Sequence, residues 1–184
     1  MRDRGMPLDN MSNTVRVFLG TRLECAQCHD HPFDSWTQMD YYQMAAFSYD
    51  MQSNYRPQIM ENVRDYVRRQ GRQPKRETML AARNVLQEVM RPLRYTAIEE
   101  DDRDLRLPHD YQYENGNPGE VISAKTMFGG DAKSASLEGY AHWLTAKENP
   151  RFAKVVANRL WRKVFGIGLI EPVDEIMDHT QASN

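Results

Sequence analysis

The chain has 184 residues, enough for one or two small domains, and 40% of them are hydrophobic. A mean hydropathy of −0.76 leaves room for a modest core with much exposed, irregular chain. With 24 basic against 26 acidic side chains and a net charge of −2, bulk electrostatics favours neither nucleic acid nor an anionic membrane. No apolar run approaches the length of a transmembrane helix, and two cysteines exclude any disulfide framework beyond a single bond.

In chain order, the first seven residues, Met1 to Pro7, lack the apolar h-region of an export signal. Residues 9–24 read as a helix, with Asp9, Asn10 and Ser12 as cap candidates and Val15, Phe18, Leu19 and Leu23 near helical spacing. Pro32 bars its simple continuation. A second helix is predicted from Thr37, where Thr37-Gln38-Met39-Asp40 approximates a capping box, to about Phe47, with Tyr41, Met44 and Ala45 on one face. Residues 57–76 are polar and basic, and their arginines read as a solvated helix face. An amphipathic helix follows, marked by Met79, Ala82, Leu86, Val89, Met90 and Leu93. The acidic run Glu99 to Asp102, then Asp104, looks like a linker. Asn115-Gly116-Asn117-Pro118-Gly119 is a turn cluster, with a small hairpin expected between 111–113 and 121–122. Two more helices are predicted near 135–146 and 151–165, the last carrying Phe152, Val155, Val156, Leu160, Val164 and Phe165 and stopped by Gly166. The fold expected is mainly α, with helical bundle-like segments, irregular loops and a small β-hairpin near 105–125.

Chemistry concentrates in Cys25-Ala26-Gln27-Cys28-His29, which has the pattern of c-type haem attachment. Two thiols three residues apart can each add across one haem vinyl group, while the adjacent imidazole reaches the iron from the same side. Cys25 and Cys28 are the candidate anchors and His29 the candidate proximal ligand. The competing readings are an inert or redox-active cysteine pair, and a zinc site combining Cys25 and Cys28 with His29, His31, His109 or His142. Zinc is handicapped because no second Cys pair or His-x-x-x-His partner is present. For the distal position Met39, Met44, Met51, Met60, His109 and His142 are conceivable, and Met127 sits in a loop suited to presenting a thioether. The bland reading of any methionine is core filler. A five-coordinate iron would instead point to ligand sensing or peroxidase-like chemistry. Asp30 and Asp34 are read either as partners of the imidazoles or as turn formers around Pro32. In Asn158-Arg159-Leu160-Trp161, the last two residues are expected in a core and the first two as caps or pairs.

The run from Val17 to Asp34, with Phe18-Leu19-Gly20 leading into Cys25-Ala26-Gln27-Cys28-His29-Asp30-His31 and then Asp40-Tyr41-Tyr42, resembles the cytochrome c-like domain first named from planctomycete proteins. Trp143-Leu144-Thr145, Asn149-Pro150-Arg151-Phe152-Ala153, Asn158-Arg159-Leu160-Trp161 and Phe165 to Asp174 resemble the companion domain that follows it. The resemblance implies a haem c protein of the periplasm or cell surface, part of a longer exported bacterial chain. Residues 1–98 would be the end of the first domain, 99–134 a linker and 135–184 the start of the second. Because such motifs receive haem outside the cytoplasm, the start is either internal to a longer protein or the motif is unused. The function expected is electron transfer to an unidentified redox partner, serving an exported oxidoreductase or polysaccharide-degrading system. The alternative is a structural or carbohydrate-associated module whose motif binds zinc or no cofactor.

Overall fold

A computed structural model of the protein describes residues 7–52, 65–69, 76–89, 91, 98–100, 103–128, 130–177 and 179–182. The chain is mainly helical and divides into two compact units, Met51–Asp101 and a larger one joining Met1–Asp50 to Asp102–Asn184. The larger unit unites both ends of the chain.

The larger unit begins with α1, Pro7–Leu19, whose Met11, Val15 and Leu19 form a fully buried stripe at i, i+4 and i+8. The helix stops well short of residue 24 because Gly20 takes φ +61°, a left-handed conformation that glycine adopts without cost. A 3-10 turn then occupies Glu24–Gln27. The next helix, α2, spans Gln38–Ala45 behind the expected capping box: Thr37 Oγ1 accepts from Asp40 N, and the Asp40 carboxylate accepts from Thr37 N. Tyr41, Met44 and Ala45 are buried, as the spacing predicts.

Two later helices complete this unit. Helix α5, Leu137–Thr145, is capped by Ser136 Oγ, which accepts from Gly139 N. Helix α6, Phe152–Phe165, ends at Gly166, whose φ of +86° lets its N–H reach Arg162 O at 2.8 Å. Buried Asn149 links the two: its Oδ1 accepts from Arg151 N and Phe152 N, and its Nδ2 donates to Trp143 O. One hydrophobic cluster runs from α1 and α2 through Leu105, Leu107, Tyr111 and Ile122 to Tyr140, Trp143 and Leu144.

The expected hairpin has a different partner. Leu107 N donates to Glu120 O and Ile122 N to Leu105 O, so 105–107, not 111–113, pairs antiparallel with 119–122. Tyr111 turns away through a bond to Pro108 O and packs edge-on against Tyr113 instead. A second correction concerns α6, which buries only Val155 and Asn158. Leu160 and Trp161, expected in a core, are exposed, as are Val156, Val164 and Phe165.

The smaller unit holds an antiparallel pair, β1 (Met51–Gln52) with β2 (Glu99–Glu100), Met51 opposite Glu100. The acidic stretch read as a linker therefore begins as strand. A short helix, α3, covers 65–69, and α4 covers Arg76–Val89, where the amphipathic pattern places a helix. Of the expected α4 markers, Leu86 is half-buried, while Met79, Ala82 and Val89 are exposed. Met90 and Leu93 lie outside the described residues, as does most of the basic stretch 57–76.

Candidate functional site

A 3-10 helix has three residues per turn, so side chains at i and i+3 eclipse one another. In Glu24–Gln27 and its cap this puts Cys25 and Cys28 on one side, both exposed and both free thiols, while Ala26 points into the core with no exposure. The turn closes as Cys28 N and His29 N both donate to Cys25 O, at 3.3 and 3.4 Å. An inward alanine lets the turn rest on α1 and α2, leaving the two thiols outward.

Helix α2 supplies the floor. Gln38 Nε2 donates to Gln27 O at 3.0 Å, and the Tyr41 hydroxyl lies within hydrogen-bond reach of Ser12 Oγ, Leu8 O and Gln27 Oε1. Burial of this hydroxyl pushes its pKa well above the tyrosine range, so it stays protonated and available as a donor. Burial also raises Tyr42, and its electrostatic interactions with Cys28 and Asp110 act in the same direction.

The two histidines of the motif region use Nδ1 in opposite ways. His29 Nδ1 lies 2.7 Å from Asp30 O, and a carbonyl only accepts, so Nδ1 is the donor of this bond and Nε2 takes no part in it. His31 Nδ1 accepts from Phe33 N at 3.3 Å, which places its proton on Nε2. Asp30 and Asp34 act as turn formers: their carboxylates accept from Gln38 N and Ser35 N, and only the Asp30 main chain meets His29. Asp30 N donates to the Tyr113 hydroxyl at 2.8 Å, and His31 N to Trp36 O at 2.8 Å, so the loop after the motif is tightly held.

The donors proposed for a distal position are scattered. Met44 is fully buried, and Met39 and Met127 are half-buried against the core cluster. Phe128, beside Met127, meets Trp36 edge-on at 5.2 Å. His109 is exposed, His142 is exposed beside Glu138 at 3.7 Å, Met51 belongs to the smaller unit, and Met60 lies outside the described residues. Among the described residues no three His, Cys, Asp or Glu side chains gather where they could hold one metal ion.

The C-terminal part of the chain meets residues that flank the motif, before and after it. Before it, Ile176 N donates to Gly20 O at 2.6 Å, and Arg22 pairs with Asp174 and Glu175 at 3.3 and 3.5 Å. After it, His179 joins Pro32, Phe33, Asp34 and Ser35 around one open depression of about 490 Å³. Sequence reasoning weighed the other four histidines and passed over His179, because no local pattern links it to a motif so far away in the chain. On α6, Asn158 holds the Ile170 main chain through both its amide atoms, at 2.7 and 3.0 Å, and Arg159 donates to Arg16 O, in line with their expected roles.

Residues 4–53 match the family model PSCyt2, a protein of unknown function (DUF1549), and residues 138–184 match PSD1, a protein of unknown function (DUF1553). The two matches stand in the order of the two resemblances drawn from the residues. No curated protein and no solved structure matches the chain. Among the described residues no helix is long and apolar enough to cross a membrane.

Proposed function

We propose that Cys25 and Cys28 carry covalently attached haem, that His29 is its proximal ligand, and that the chain serves electron transfer. The observation carrying this reading is the His29 contact: Nδ1 donates to Asp30 O, so that bond leaves Nε2 as the ring nitrogen for ligation, in a turn with two exposed thiols. A metal-ligating histidine commonly donates its other ring N–H to a carbonyl or carboxylate, which fixes the ring and raises ligand basicity. The donor set therefore suits haem. Zinc needs four donors converging at about 2.0–2.3 Å, whereas thioether anchors attach at two separate points of a macrocycle and need no convergence. The absence of any converging set of three among the described residues favours haem over zinc.

Haem, when bound, supplies a one-electron iron couple. The chain's own contribution is to hold the anchors outward on the 3-10 turn, to fix the His29 ring through Asp30 O, and to keep the turn seated through Gln38 and Tyr41. Thioether formation requires export, so the proposed location is the periplasm or cell surface, within a longer parent chain and facing an unidentified redox partner.

The test is expression of the full chain with export and c-type haem maturation. A Soret band that survives acid-acetone extraction is expected, lost in the C25S/C28S double variant and altered in shape in H29A. A colourless protein holding stoichiometric zinc would overturn the reading.

A further inference from the structure

We propose that Asn115-Gly116 is a site of spontaneous covalent modification, at which the asparagine side chain cyclises onto the glycine nitrogen and reopens as aspartate or isoaspartate. Gly116 N attacks Asn115 Cγ, and the Nδ2 amino group leaves as ammonia, taking up the proton that Gly116 N gives away. A five-membered succinimide remains. Water then adds to one of its two carbonyl carbons and breaks that carbon's bond to nitrogen. Opening at one carbon gives aspartate; opening at the other gives isoaspartate, whose main chain runs through the former side chain. Water is the one co-reactant, and the product carries one more negative charge.

The pair lies outside helix and strand, and among the described residues nothing accepts from the Gly116 N–H, so the nucleophile has no hydrogen bond to break. Packing keeps position 116 a glycine: a Cβ there would stand 2.7 Å from both Leu107 Cδ1 and Met39 Cε. Asn115 is exposed, and its Oδ1 accepts from the Tyr111 hydroxyl. A donor on that oxygen stabilises the oxyanion that forms as nitrogen adds to carbon. Burial first, then Asp30, raises the Tyr111 pKa, so the hydroxyl stays a donor through the neutral range. The other described asparagines lack this combination. Asn117 and Asn149 precede prolines, whose nitrogen has no hydrogen to lose. Asn10, Asn13, Asn84 and Asn158 sit in helices, where the following N–H is spent on the helical ladder. The modified loop also braces the motif region: Tyr111 packs edge-on against Tyr113 at 5.5 Å, and the Tyr113 hydroxyl accepts from Asp30 N, directly after His29.

The experiment incubates the full chain at neutral and at mildly alkaline pH, as wild type, N115Q and Y111F. Residue 115 is followed by peptide mass spectrometry and by labelling with isoaspartyl methyltransferase. The wild-type peptide holding Asn115 should gain the mass of an amide-to-acid exchange and take up label, faster at the higher pH because the nitrogen attacks once deprotonated. N115Q should take up no label at this peptide. Y111F should react about tenfold more slowly, the kinetic worth of one hydrogen bond. The sign of that change is decisive: if Tyr111 merely steadied the loop, removing its hydroxyl would loosen Asn115 and speed the reaction. An unmodified residue 115 in the wild type overturns the proposal, and a Y111F rate equal to or above the wild-type rate overturns the part given to Tyr111.

Discussion

The turn that carries the cysteines and the outer face of α6 make an instructive pair. The turn from Gly20 to His29 is mostly polar or small, yet it is fixed by partners distant in sequence: Ile176 on Gly20, Asp174 and Glu175 on Arg22, Gln38 and Tyr41 on Gln27. The outer face of α6 has strong apolar periodicity, yet Leu160 is 59% and Val164 74% exposed. Periodicity announces that a helix will form; it does not say which of its apolar residues find a partner. Hydrogen bonds and ion pairs to residues far along the chain, which no periodicity reports, hold the cysteine-bearing turn.

The sharpest way to break the contrast is Gly20→Ala. A Cβ there would stand 2.8 Å from Val155 Cγ2 and 3.1 Å from Ile176 Cδ1, at a φ of +61°. A left-handed alanine costs about 1–2 kcal/mol, and overpacking adds about 1–3 kcal/mol. Urea unfolding should show a loss of about 3 kcal/mol in total. Covalent haem yield should fall with it, because the C-terminal segment is wedged away from the motif; a loss below about 1 kcal/mol would mean that the Gly20–Ile176 contact does not frame the turn. Asn158→Ala comes next, at about 2 kcal/mol, since it removes both partners of the Ile170 main chain from a buried site. Its midpoint shift in thermal unfolding measures how far the inner side of α6 differs from the outer.

These contacts mark where sequence reading reached and where it stopped. Helix α2 was legible to its capping box because Thr37, Asp40 and the Tyr41, Met44 and Ala45 face are all local signals. The Cys25 to His29 run stood out for the same reason, its five residues being contiguous. The end of α1 was misplaced because the Phe18, Leu19 and Leu23 spacing continues past Gly20, and only the left-handed φ there reveals the break. The hairpin partner was misjudged because Tyr111 and Tyr113 look like strand residues, whereas their rings pack on each other and the Tyr113 hydroxyl is taken by Asp30 N. His179 was invisible because its relation to Phe33 exists only after residues 173–177 dock beside Gly20.

The smallest expected effect is the one that tests the other half of the comparison. Val164→Ser on the outer face of α6 removes an apolar side chain that already meets solvent, and valine and serine differ little in helix propensity. Thermal and urea unfolding should therefore agree on a change within about 0.5 kcal/mol, the range of surface substitutions away from special features. The urea m-value should not move, because no additional surface is exposed on unfolding. A loss above about 1 kcal/mol would require Val164 to be buried in solution, and would turn the contrast between the held turn and the bare helix face into a difference in which partner each one has.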